Sequence, residues 1–154
     1  MSRFSKRVQS QPGVLTVQLQ SVENAYLSLQ HTQRGLVGML VACAVLGSTL
    51  LRVPAGSLGN RSFLPAIISA SLLTFAYTTR NSMVLPSLAE LRRNPSDPKL
   101  LKRWSRNNLI VQVLCALVGL MGFAMQLMGA ATAIAFTLYV IAVGYLFLLR
   151  PAKP

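Results

Sequence analysis

Seven residues, Ser105, Asn108, Gln112, Cys115, Gly119, Gly122 and Gln126, recur in steps of three and four along a stretch of otherwise large apolar side chains. On a helix that spacing places them on one face. All seven are small or uncharged polar. In lipid, small residues let two helix backbones approach closely, and amides hydrogen-bond across the contact. The face therefore reads first as a helix-packing seam. The same side chains lining a gap would make a polar pathway or binding crevice. The small-xxx-small pairs Cys43/Gly47, Ala66/Ala70 and Ala131/Ala135 occur elsewhere in the apolar sequence and favour packing.

Other candidate chemistry is sparse. Met121, Met125 and Met128 form a methionine stripe beside the seam. Paired thioethers in a membrane helix can coordinate Cu(I), but the chain lacks a methionine-rich outer segment. Core or lipid-facing filler is the better reading. His31, the only histidine, stands with Gln30, Gln33 and Arg34 and reads as an interfacial polar residue rather than a ligand or base. Glu23, Glu90 and Asp97 are the only acids, and all lie outside the apolar stretches. Paired-carboxylate catalysis and proton-coupled transport therefore have no candidates. Cys43 and Cys115 sit mid-stretch, without metal spacing, as small packing residues. No catalytic residue, metal ligand or cofactor is expected.

The elements that must position this seam are four uncharged apolar stretches. Residues 35–51 and 62–79 form the first two; 107–149 is a single run of roughly twice the length that crosses a bilayer core. That run must turn back on itself, and Gly129 marks the place. The chain is 53% hydrophobic and 12% charged, where a soluble domain carries roughly a quarter charged residues. Its net charge of +12 would suggest nucleic acid in a soluble protein. Here, however, thirteen of the fifteen Lys/Arg residues flank the stretches on one side, leaving Arg52 and Arg61 on the other. The positive-inside rule then puts both termini and the central loop in the cytosol or its equivalent. Attraction to anionic headgroups accounts for the excess charge, and nucleic acid is not expected as a partner.

The fold class expected is all-α: an integral membrane protein with four transmembrane helices in an antiparallel bundle, spans near 35–52, 62–79, 107–128 and 130–149. Residues 1–20 read as a basic disordered tail broken at Pro12-Gly13, with an organelle address as the other reading, and 21–154 as one domain. Ser21 is a plausible N-cap for a helical approach to the first span. Asn60-Arg61-Ser62 matches a glycosylation sequon but abuts the membrane, and Ser62 suits an N-cap better. Within the basic loop 80–106, Val84, Leu88 and Leu91 share a face. That segment is either an interfacial helix or an extension of the second span, kinked at Pro86. Asn94-Pro95-Ser96-Asp97-Pro98 is the strongest turn signal, with Asp97 capping the next helix. Arg80, Arg92, Arg93, Lys102, Arg103 and Arg106 are the expected membrane-surface contacts, and Trp104 an anchor at headgroup level.

Thr32-Gln33-Arg34-Gly35-Leu36-Val37, the apolar stretch ending Thr49-Leu50-Leu51, and Phe75-Ala76-Tyr77-Thr78-Thr79-Arg80-Asn81 carry a resemblance. These segments are similar to domain-of-unknown-function family 599, small multi-span membrane proteins. The resemblance implies that architecture and no activity. The functional expectation is a non-enzymatic membrane component, an accessory, assembly or scaffold protein acting through helix packing with other subunits or copies of itself. A small transporter or channel for an uncharged or weakly polar solute, passing Gln112 and Gln126, is the alternative. Which membrane holds it stays open.

Overall fold

The computed structural model describes residues 12–50, 63–94, 97–129 and 132–151. Every regular element among them is helical: α1 (Pro12–Leu50), α2 (Phe63–Thr79), a π-helical turn (Arg80–Val84), α3 (Leu85–Arg93), α4 (Pro98–Leu127) and α5 (Thr132–Leu148). The all-α expectation holds for these residues. Among them one helix, α4, is long and apolar enough to cross a membrane, and the apolar stretch Ala133–Leu148 is shorter.

The first helix differs from expectation at its start. It begins at Pro12 and runs 39 residues without interruption, so 12–20 belong to the helix and Ser21 does not open it. The supposed break becomes the start because proline is pre-shaped for the first helical position, where its missing N–H costs nothing. Residues 1–11, and the sequon with Ser62, lie outside the described residues.

Near Asn94 the chain turns as its residues dictate. Asn94 closes α3 through its own N–H to the Glu90 carbonyl. Asp97 then caps α4, its side chain accepting from the Lys99 N–H at 2.8 Å, with Pro98 in the first turn. Gly129 has φ 77°, the left-handed conformation in which a Cβ is strained, and follows α4 at the turn toward α5.

Between α2 and α3 the helix never stops; it widens. The Leu85 N–H reaches five residues back to the Arg80 carbonyl. Pro86 explains the place, since its ring cannot donate and collides with the carbonyl four residues earlier. The widening also sets register. Residues Ser69, Ala76 and Thr79 on α2 are buried, as are Val84, Ser87, Leu88 and Leu91 beyond it. The step from Thr79 to Val84 is five residues, so the turn absorbs one extra residue and keeps the buried stripe on one side. Without it Met83, now exposed, would take Val84's place. The helix therefore continues from α2 through α3, the course the extension reading gave it. The face at Val84, Leu88 and Leu91 covers protein: α3 and the π turn both pack on α4.

Helix α4 is the hub and packs against α1, α2, α3 and α5. Contacts at Leu29–Gln112, Leu40–Gly119 and Gly47–Gln126 advance together, so α1 and α4 run parallel. Helix α5 returns antiparallel, meeting α1 at Gln33–Leu146. The core, with Leu40, Val111, Cys115 and Val118 fully buried, lies along this junction.

Candidate functional site: the polar seam of α4

Six of the seven seam residues are buried: Asn108, Gln112, Cys115, Gly119, Gly122 and Gln126; Ser105 is half-buried. The steps of three and four divide the seam into two rows. Gln112, Gly119 and Gln126, seven apart, meet α1. Gly122 meets α5. The seam thus faces the chain's own helices.

The α1 row alternates amide and glycine. Gln112 donates through Nε2 to the Leu29 carbonyl at 3.3 Å. One heptad on, Gly119 leaves room that Leu40 fills, and a Cβ there would collide with the Leu40 side chain. At the far end the Gln126 amide lies over Gly47, whose missing Cβ makes its space. Gln126 also accepts from the Tyr139 hydroxyl of α5 at 3.1 Å, so this amide joins three helices. On the other row a Cβ at Gly122 would stand 2.9 Å from the Ala135 carbonyl oxygen and 3.3 Å from Leu138 Cβ. These are backbone-level approaches of the sort small residues permit. Asn108 spends its amide on its own helix, donating to the Trp104 carbonyl at 3.0 Å.

Sequence reasoning missed three members of this junction. Gln33 is buried and donates to the Leu146 carbonyl of α5 at 2.7 Å. Its place beside His31 and Arg34 gave it the look of a surface residue; the seven-residue interval from Gln33 to Leu40, both buried, was the available signal. Leu40 and Tyr139 complete the set, and neither stands out by type in an apolar helix. Among the described residues, four buried polar atoms have no hydrogen-bond partner: Gln112 Oε1, Gln126 Nε2, Ser69 Oγ and Trp104 Nε1.

The remaining candidates separate. Arg92, Arg93, Lys102, Arg103 and Arg106 are exposed and Arg80 is half-buried. Trp104 corrects the headgroup-anchor expectation: it is fully buried. The Asn94–Asp97 turn brings α3 back onto α4, and protein rather than lipid covers the indole. Met121 is half-buried, Met125 buried and Met128 exposed, so the methionine stripe spans three environments. His31 is exposed.

Against known protein families, curated proteins and solved structures, the chain has no match.

Proposed function

We propose that the protein is a four-span integral membrane component that performs no catalysis and acts as an accessory or scaffold subunit through helix packing. The observation that carries the membrane part is an inverted distribution of polarity. Gln33, Gln112, Gln126 and Asn108 are inside, while Leu64, Ile67, Phe75, Val140 and Phe147 stand outside, each more than half exposed. In water such continuous apolar surface drives association; in hydrocarbon it is solvated and the amides must turn inward. The helices α2 and α5 contain 17 residues each, at the short end of the spanning range of roughly 17–25.

The accessory part rests on which small-residue pairs are already used. Gly119, Gly122, Gly47 and Ala135 are taken up within the bundle. The pair Ala66/Ala70 on α2 is exposed, one turn from the equally exposed Thr74. That row offers a close approach to another helix, and the basic segment 80–106 at the opposite end of α2 adds its attraction for anionic headgroups. Cross-linking in native membranes tests the reading. A66L/A70L is expected to abolish a cross-linked product that the parent forms; the same product from both proteins rejects this face. Alkaline carbonate extraction tests the membrane assignment, which release of the protein into the supernatant rejects.

A transport role has one observation in its favour, the unpartnered Gln112 Oε1 and Gln126 Nε2. Leu40 packs on Gly119 between them and would have to move for a solute to pass. Proteoliposome uptake lost on Q112L/Q126L would support it, and no flux with the parent protein would end it.

A further inference from the structure

Two stripes face each other where α1 and α5 run antiparallel. On α1, Gln30, Arg34, Val37, Val41, Ala44 and Ser48 advance in steps of three and four; Arg150, two residues past the end of α5, and Phe147, Gly144 and Val140 on it do so in the opposite sense. A cavity of about 300 Å³ opens between Gln30, Gln33, Arg34, Val37, Phe147 and Arg150. A second, of about 470 Å³, lies between Val41, Ala44, Ser48, Val140 and Gly144. Val37 and Phe147 in the first are one helical turn from Val41 and Val143 in the second. In line between the same two helices, the two cavities offer a crevice with a polar mouth and an apolar floor.

We propose that this crevice binds one anionic phospholipid, its phosphate between the Arg34 and Arg150 guanidinium groups and one acyl chain along the groove. This rests on the membrane reading above. Charge complementarity selects the headgroup: two of the residues lining the mouth are arginines and none is acidic. The main electrostatic objection is the C-terminal end of α5, whose free carbonyls repel an anion. Three of its last four carbonyls are occupied. Leu149 N–H bonds the Tyr145 oxygen, Gln33 Nε2 the Leu146 oxygen, and Arg150 N–H the Phe147 oxygen. Gln33 therefore both ties α1 to α5 and mutes the negative pole at the mouth.

Length and lining select the chain. Arg34 to Ala44 is ten residues, about 15 Å of helix, which is half the hydrocarbon thickness of about 30 Å. A headgroup at Arg34 thus puts its acyl chain alongside Val41 and Ala44. The one hydroxyl on the α1 side, Ser48, bonds its own Val45 carbonyl at 2.9 Å and presents no free donor. Gly144 has no atom within 4 Å of where its Cβ would lie, so the floor is open there.

The test is native mass spectrometry of the detergent-extracted full chain with added phosphatidylglycerol or phosphatidylcholine, alongside carbonate extraction of the same membranes. The parent is expected to retain one phosphatidylglycerol about tenfold better than phosphatidylcholine. R34Q/R150Q is expected to lose that preference while keeping weak binding of both. G144L, whose Cβ meets open space and whose side chain extends into the floor, should lose both lipids. Equal retention of the two lipids by the parent, or an unchanged preference in R34Q/R150Q, overturns the site. Displacement of the lipid by millimolar inorganic phosphate overturns it in favour of a free-anion site. A protein that stays in the membrane but shows no preference rejects this proposal alone; one released by carbonate rejects the membrane reading with it.

Discussion

Gly122→Ala and Gly144→Ala make the same chemical change in two helices and are expected to differ in consequence. At Gly122 the new methyl would stand 2.9 Å from the Ala135 carbonyl oxygen and 3.3 Å from Leu138 Cβ. Comfortable separation is about 3.5 Å or more, so α4 and α5 must part locally by roughly 0.5 Å. A displacement of that size forfeits about a quarter of each dispersion contact across the joint. With on the order of ten such contacts, each worth about 0.1–0.2 kcal/mol, at Leu138 and again at Tyr139, the loss is about 0.5–1 kcal/mol. Residual strain at the Ala135 carbonyl brings the total to about 1–2 kcal/mol, inside the overpacking range. In water a gain of about 1 kcal/mol in helix propensity would offset this. In lipid the separated helices keep their hydrogen bonds, so propensity nearly cancels. Gly144, with open space around it, should then change by less than about 0.5 kcal/mol. Reversible unfolding in bicelles measures both. Equal effects, or a Gly144→Ala protein stabilised by about 1 kcal/mol, would refute the packing argument and the membrane reference state together.

The remaining expectations are briefer. Tyr139 and Gln126 should couple in a Y139F/Q126L double-mutant cycle by about 0.6 kcal/mol, up to about 1.7, as other interhelical bonds in membranes do; additive single effects would mean the 3.1 Å bond is not made. Gln33→Leu removes the 2.7 Å tie to the Leu146 carbonyl and should cost about 1–2 kcal/mol, read in the same unfolding assay, because it also leaves that carbonyl unpaired. Deleting Ser82 should keep Val84, Leu88 and Leu91 on α4 but remove the widened turn that accommodates Pro86, at a cost of about 3 kcal/mol. Inserting an alanine at the same place should be far worse, because it rotates Val84, Leu88 and Leu91 off α4; a deletion as damaging as the insertion would refute the register argument.

How much of this was legible follows from which interactions are local. The Asn94–Asp97 turn and Gly129 were readable because their geometry is decided within a few residues. The seam was readable because small and polar side chains stand out against leucine and valine at helical spacing. Its partners were not: Leu40 and Tyr139 are ordinary in an apolar helix, and only the packing of α1 and α5 on α4 brings them to Gly119 and Gln126. The five-residue step from Thr79 to Val84 hid in the sequence as a slip between two good stripes, although Pro86 marks it. The start of α1 was misplaced because Pro12-Gly13 signals equally a break and a beginning. Trp104 was misread for a related reason: its charged neighbours Lys102, Arg103 and Arg106 are exposed, and nothing local shows that α3 folds back over the indole.

That buried indole stands between two groups of core residues. Trp104 belongs to one core with Leu29, Leu88 and Leu91, among the basic segments, and with Leu40, Val118 and Met125, among the apolar ones. If the first group faces water and the second lipid, they respond to different variables. Burial from water carries a large heat-capacity change and weakens in urea; packing from lipid carries neither driving force. Cooling or urea should then loosen α3 from α4 and expose Trp104 while Gly122 still holds the α4–α5 hairpin together. The only tryptophan in the chain sits where its fluorescence would report that partial opening and not the loss of the bundle.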